Sequence, residues 1–162
     1  MLKALHPYWR YRYASIANGN HGDVFVGLKN GSTREKLIVK KGRYSCLLLN
    51  KFPYAPGHLL AVPYRRVSRL EKLTDEETLE LQYLVVYGKL LLEKVLKSDG
   101  VNIGLNQGRV SGGSVPQHLH WHIVPRWNGD HSFMPITGGT RILPRSQQNL
   151  WKALMKASKA VK

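Results

Sequence analysis

Between Gln117 and Val124 the chain reads Gln-His-Leu-His-Trp-His-Ile-Val, with imidazole and apolar side chains in strict alternation. A period of two belongs to a β-strand, where residues i, i+2 and i+4 share a face. A helix would scatter these side chains around its surface. The pattern therefore predicts a strand over 119–124, with Leu119, Trp121 and Ile123 turned into a core. His118, His120 and His122 then line the other face, about 7 Å apart. A strand with no chemistry to perform has no reason to stack three imidazoles in that way.

The rest of the chain is read around this strand. Turn clusters at 18–22 and 29–33 flank a weakly alternating strand at Val24–Leu28. Leu37–Lys40 and Ser45–Asn50, joined through Lys41-Gly-Arg43, predict a hairpin. His58–Pro63 is apolar enough for a central strand, and Val101–Asn106 reads as another. The period changes to helical at Thr74-Asp-Glu-Glu77, a capping-box start. Leu81, Leu84, Val85, Leu91, Leu92, Val95 and Leu96 mark one helical face, and Asp99-Gly100 ends it. Residues 146–162 form a basic amphipathic helix with Leu150, Trp151, Leu154 and Met155 on one side. Strands on both sides of one long helix predict an α+β fold with a mostly antiparallel sheet. The 162 residues, 43% hydrophobic, form one domain with its core over about 24–135.

Imidazole rows serve two chemistries: metal ligation, and nucleophilic attack at phosphorus or acyl centres. The neighbourhood favours phosphorus. Upstream lies Asn106-Gln-Gly-Arg-Val-Ser-Gly-Gly-Ser-Val-Pro-Gln117, a loop whose backbone N–H groups can nest around a phosphate. Asp130 is the single acid over 100–140, and the single cysteine, Cys46, lies elsewhere, so carboxylate and thiolate ligands are scarce and no metal ligand is assigned. One cysteine also excludes an internal disulfide framework and fits a reducing, cytoplasmic compartment. No apolar run is long enough to span a membrane, and the first ten residues, broken by Pro7 and Arg10, are too short for the apolar part of a secretory signal.

The formal net charge is +15. It amounts to +11 over residues 1–70, −3 over 71–99, +1 over 100–140 and +6 over 141–162. A chain so basic attracts polyanions. Nucleic acid is one partner class this admits. The near-neutral count around the histidines points instead to steering toward a site that works through imidazole and backbone donors.

His118-x-His120-x-His122 followed by Ile-Val resembles the signature of the histidine triad (HIT) family. Asn50-Lys-Phe-Pro-Tyr-Ala-Pro-Gly-His58 resembles that family's nucleoside-pocket segment, and Asn102-Ile-Gly-Leu-Asn106-x-Gly108 its entry to the phosphate loop. Pro125–Pro135 is similar to the branch of diadenosine tetraphosphate phosphorylases and fragile-histidine-triad hydrolases. The resemblance implies a sheet of about five antiparallel strands, a homodimer, and transfer of a nucleotidyl group from an α-phosphate onto histidine.

On this resemblance His120 is the nucleophile, with His118 and His122 beside it. Asn106, Gly113 and Ser114 cradle phosphate, Asn50 and His58 meet the ribose, and Trp127 lines the phosphate site with Ser114. His131 lies near enough to touch leaving phosphates. The implied substrate is a dinucleoside polyphosphate such as diadenosine tetraphosphate, with inorganic phosphate or water as acceptor. No cofactor is required, and a divalent metal, where one takes part, arrives complexed to the substrate. Two departures stand out: the Cys-x-x-Cys zinc element of many bacterial members is missing, and Asn106 replaces the glutamine of the fragile-histidine-triad branch. The alternative reading is a nucleotide- or nucleic-acid-binding module that keeps the fold without turnover.

Overall fold

The computed structural model describes residues 23–111, 115–130 and 146–161. Two short, largely apolar runs make the first hairpin: β1 (Ile38–Lys41) pairs antiparallel with β2 (Ser45–Leu49). The turn between them is held from the helix. The Glu80 carboxylate accepts from the Arg43 and Tyr44 backbone N–H groups and from Ser45 Oγ. β3 (Leu59–Pro63) follows, with every residue buried. β4 (Gly100–Leu105) and β5 (Trp121–Arg126) complete a five-stranded sheet in the order β1-β2-β3-β5-β4, with every pair antiparallel.

The long helix α1 spans Asp75–Leu96. Its start is the capping box expected at Thr74: Thr74 Oγ1 accepts from the Glu77 N–H, and Glu77 Oε2 accepts from the Thr74 N–H. A cap of this kind is worth about 1 kcal/mol. Glu77 also takes a bidentate ion pair from Arg65, at 2.9 and 2.6 Å, so this arginine ties the stretch after β3 to the helix start. The helix ends at Lys97, in the left-handed conformation, two residues before the expected Asp99-Gly100 stop. At Gly88 a side chain would come within 2.9 Å of Ile123 and 3.4 Å of Leu47 and Leu59, so a bare backbone lets the helix lie close on the sheet. The C-terminal helix α2 (Gln147–Ser158) packs beside α1 and over β1. Trp151 Nε1 donates to the Ile38 carbonyl and Tyr87 Oη to that of Ser158.

The sheet thus has two covered faces. Leu47, Leu49, Leu59, Ala61 and Ile123 meet α1 and α2 on one. On the other, Cys46, Leu48, Leu60 and Val62 are covered by Phe25, Leu28 and Val115. Residues 24–30 form turns, not the strand their weak alternation predicts. Asp23 explains this: its backbone carbonyl and Oδ1 take the N–H groups of Val26 and Phe25, so a local turn wins over sheet pairing. Among the described residues no helix is long and apolar enough to cross a membrane.

Candidate functional site

The histidines converge on the second face, at the start of β5. In register, His122 stands opposite Leu60 of β3 and Gly104 of β4. Extending the β4 register one step past its end sets Asn106, half-buried, opposite His120. Trp121 and Ile123 turn toward the helices, as the alternation requires.

The strand itself begins later than expected. β5 starts at Trp121, so His118 and His120 lie in its approach and not within it. Pairing with β3 stops at Ala61, and the Leu119 N–H turns away to the Val67 carbonyl at 2.6 Å. The three imidazoles therefore do not form a flat row. His120 and His122 have ring centroids 4.9 Å apart, closer than neighbours on an extended strand face. The His118 side chain points inward and is 1% exposed.

Hydrogen bonds assign the ring protons. The His118 carbonyl lies 2.9 Å from His120 Nδ1 and can only accept, so Nδ1 carries the proton and Nε2 carries the lone pair. Burial holds the His120 pKa below its usual value, partly opposed by that hydrogen bond, so the ring is neutral at neutral pH. The Tyr54 N–H (3.1 Å) and Asn50 Nδ2 (3.2 Å) both donate to His58 Nδ1. His58 Nε2–H then donates to His122 Nδ1 at 2.9 Å, which leaves His122 with its proton on Nε2. Burial, reinforced by the neighbouring His122 and His120 imidazoles, pushes the His58 pKa down to about 3 and keeps His58 itself neutral. The Tyr54 ring stacks on His122 at 5.6 Å and lies 4.7 Å from His58.

His58 was expected at the ribose, but it is fully buried with both ring nitrogens engaged. It reaches this position through Gly57, at φ +87°, where a side chain would strike Leu96. Asn50 is half-buried; its Oδ1 accepts from the Phe52 N–H while its amide holds His58. Trp127 was expected to line the phosphate site with Ser114, which lies outside the described residues. Trp127 follows the C-terminal end of β5, whereas His120 precedes its start, and the Trp127 indole N–H donates to the Leu96 carbonyl. Gly113, Ser114 and His131 lie outside the described residues. Ser68, Arg69, Gln107, Gly108, Arg109 and Pro116 line a groove of about 390 Å³.

Sequence reasoning missed Asp23 and Phe25. Asp23 Oδ2 lies 2.7 Å from His118 Nδ1, and the Phe25 ring lies 5.3 and 5.1 Å from the His118 and His120 rings. An aspartate in a turn-rich stretch carries no local signal of a partner 95 residues away.

Known proteins are similar to this chain in sequence and fold. The HIT domain family model matches residues 32–129, more than half of the chain. An AP-4-A phosphorylase of Mycobacterium tuberculosis is 45% identical over 121 residues, which are 75% of this chain and 62% of that protein. The asymmetrical bis(5'-nucleosyl)-tetraphosphatase of Schizosaccharomyces pombe is 39% identical over 95 residues, 59% of this chain and 52% of that one. The chain thus spans less than two thirds of these relatives' lengths. Among solved structures, a hypothetical histidine triad nucleotide-binding protein of Sulfolobus tokodaii superposes with a TM-score of 0.64 at 26% identity, over 78% of this chain and 85% of that one. A matched span that holds all three histidines of the motif, a sheet order that brings them to one strand end, and a fold shared with a solved histidine triad protein lead to one conclusion: the chain belongs to the HIT domain family.

Proposed function

We propose that the chain is a nucleotidyl-transferring enzyme that cleaves dinucleoside polyphosphates, diadenosine tetraphosphate foremost, at an α-phosphate. The observation that carries this reading is the protonation pattern. His120 presents a neutral Nε2 lone pair, while His122, 4.9 Å away, presents an Nε2–H. The first is a nucleophile and the second a hydrogen-bond donor, which is what attack on a phosphoryl group needs. His120 Nε2 attacks the α-phosphorus, the bond to the bridging oxygen breaks, and the remaining nucleotide leaves with that electron pair. An acceptor oxygen then attacks the same phosphorus and breaks the N–P bond, returning the lone pair to His120. Asn106 and the loop with Gly113 and Ser114 supply donors to the phosphate oxygens. Arg69 and Arg109 in the neighbouring groove suit the more distant phosphates. His118 acts from behind His120, and Trp127 is assigned a packing role.

Inorganic phosphate is the acceptor this reading prefers, since the 45% identical relative is named a phosphorylase. Residues 1–162 act as a single domain. A homodimer is supported by the edge position of β4 among the described strands, where Ile103 is exposed, and by the exposed stripe Leu79, Tyr83, Val86 and Leu90 on α1. A reducing cytoplasm suits the lone Cys46, whose thiol burial pushes up to about 12 and so makes unreactive. Product analysis of diadenosine tetraphosphate cleavage tests the whole reading. ADP plus ATP formed in the presence of phosphate is expected, and His120→Ala should lower the rate at least about 10⁴-fold while nucleotide still binds. Full activity in His120→Ala would end the proposal. Tight, steeply salt-dependent nucleic-acid binding without turnover would favour the binding-module reading instead.

A further inference from the structure

We propose that Asp23, nine residues ahead of the span matched by the family model, positions the reacting histidine by holding His118 as a buried imidazolium. The inference rests on His120 being the nucleophile. Asp23 Oδ2 lies 2.7 Å from His118 Nδ1, and the Pro63 carbonyl lies 2.8 Å from His118 Nε2. Carboxylate and carbonyl oxygens only accept. Both contacts are hydrogen bonds only when both ring nitrogens donate, so His118 is doubly protonated and faces an ionised Asp23. The two side chains are 1% and 2% exposed. A charge buried so deeply is tolerated because its counter-ion is buried with it. The Arg66 guanidinium, 3.7 Å from the same Asp23 oxygen, adds a second cation at the rim.

The effect reaches the nucleophile through the backbone. The His118 carbonyl accepts from His120 Nδ1 and thereby selects the tautomer with its lone pair on Nε2. With its ring tied at both nitrogens, His118 cannot turn, and the carbonyl stays aimed. Asp23 also cancels the His118 charge, which would otherwise act directly on His120. Phe25, in the same turn as Asp23, packs against both imidazoles and shields the pair from water. The turn at residues 23–28 is thus a working part of the site and not merely cover for the sheet.

The test is a pair of variants, Asp23→Asn and Asp23→Glu, in the full chain. Histidine ¹⁵N NMR at neutral pH should show both His118 nitrogens protonated in the wild type and only one in Asp23→Asn. Asp23→Asn should lower kcat by about 10–100-fold with KM little changed, and Asp23→Glu should restore both the doubly protonated signal and part of kcat. A singly protonated His118 in the wild type overturns the proposal. So does a folded Asp23→Asn that keeps wild-type kcat. The NMR signal is read without substrate, so it decides the Asp23–His118 pair even if the wild type fails to cleave dinucleoside polyphosphates.

Discussion

His58 Nε2 stands 2.9 Å from His122 Nδ1, and this contact decides which nitrogen of His122 carries a proton. The chain of donors begins at the Tyr54 backbone and ends at His122 Nε2–H. Replacing His58 by alanine removes the fixed donor and lets His122 adopt either tautomer. A fall in kcat of about 10–100-fold is expected, the usual cost of losing a group that orients a reacting one. Steady-state kinetics with diadenosine tetraphosphate checks it, and an unchanged kcat in a folded His58→Ala protein would show that the relay does no work.

The same burial makes the protein acid-sensitive. His58 in the folded chain takes a proton only near pH 3, whereas its ordinary value is 6.5. Between these values the unfolded chain binds the extra proton, so stability is lost as pH falls below about 6.5. The contribution is about 1.4 kcal/mol per pH unit, and His120, shifted in the same direction, adds to it. Urea unfolding of the wild type and of His58→Asn between pH 7 and pH 4 should give a slope smaller in the variant by about that amount.

Gly104 offers a steric probe of the proposed substrate space. It pairs with His122 across β4 and β5, and a side chain built there meets nothing within 4 Å. Cross-strand partners bring their side chains to about 5 Å of each other. Gly104→Val should therefore fold as well as the wild type, since β-branched residues suit strands, yet raise KM about tenfold or more by filling space beside His122. A variant with unchanged KM and thermal stability would place the substrate elsewhere.

Charge gives a kinetic prediction. The +15 net charge lies largely outside residues 100–140, so it attracts a polyanion without acting at phosphorus. Raising ionic strength from about 0.01 to 0.15 M shortens the screening length from about 30 to 8 Å. kcat/KM should fall by about tenfold, with kcat nearly constant. Stopped-flow or initial-rate measurements across that range decide the matter, and a flat kcat/KM would leave the charge without this role.

Much of the architecture was written in local patterns. The unbroken apolar runs Leu47–Leu49 and Leu59–Val62 record strands buried on both faces, the alternation through Trp121–Val124 records which side of that strand meets the helices, and the Thr74–Glu77 box records where the helix starts. Such patterns are legible because each depends on neighbours a few residues apart. Val24–Leu28 was misread for the same reason: its alternation was short, and the side chain of Asp23 bound the backbone locally.

The sequence by itself determined that three histidines share one end of one strand beside a glycine-bearing loop. From that came the family resemblance and the chemistry of His120. Only the tertiary structure decided what each ring does. His118 turned inward because the Leu119 N–H found the Val67 carbonyl and Asp23 arrived from 95 residues away. His58 went against His122 because Gly57 carries it into the core. Trp127 was drawn to the C-terminal end of α1 by the Leu96 carbonyl. A buried polar atom must find a partner, and which partner it finds depends on proximity in space, which periodicity along the chain does not encode.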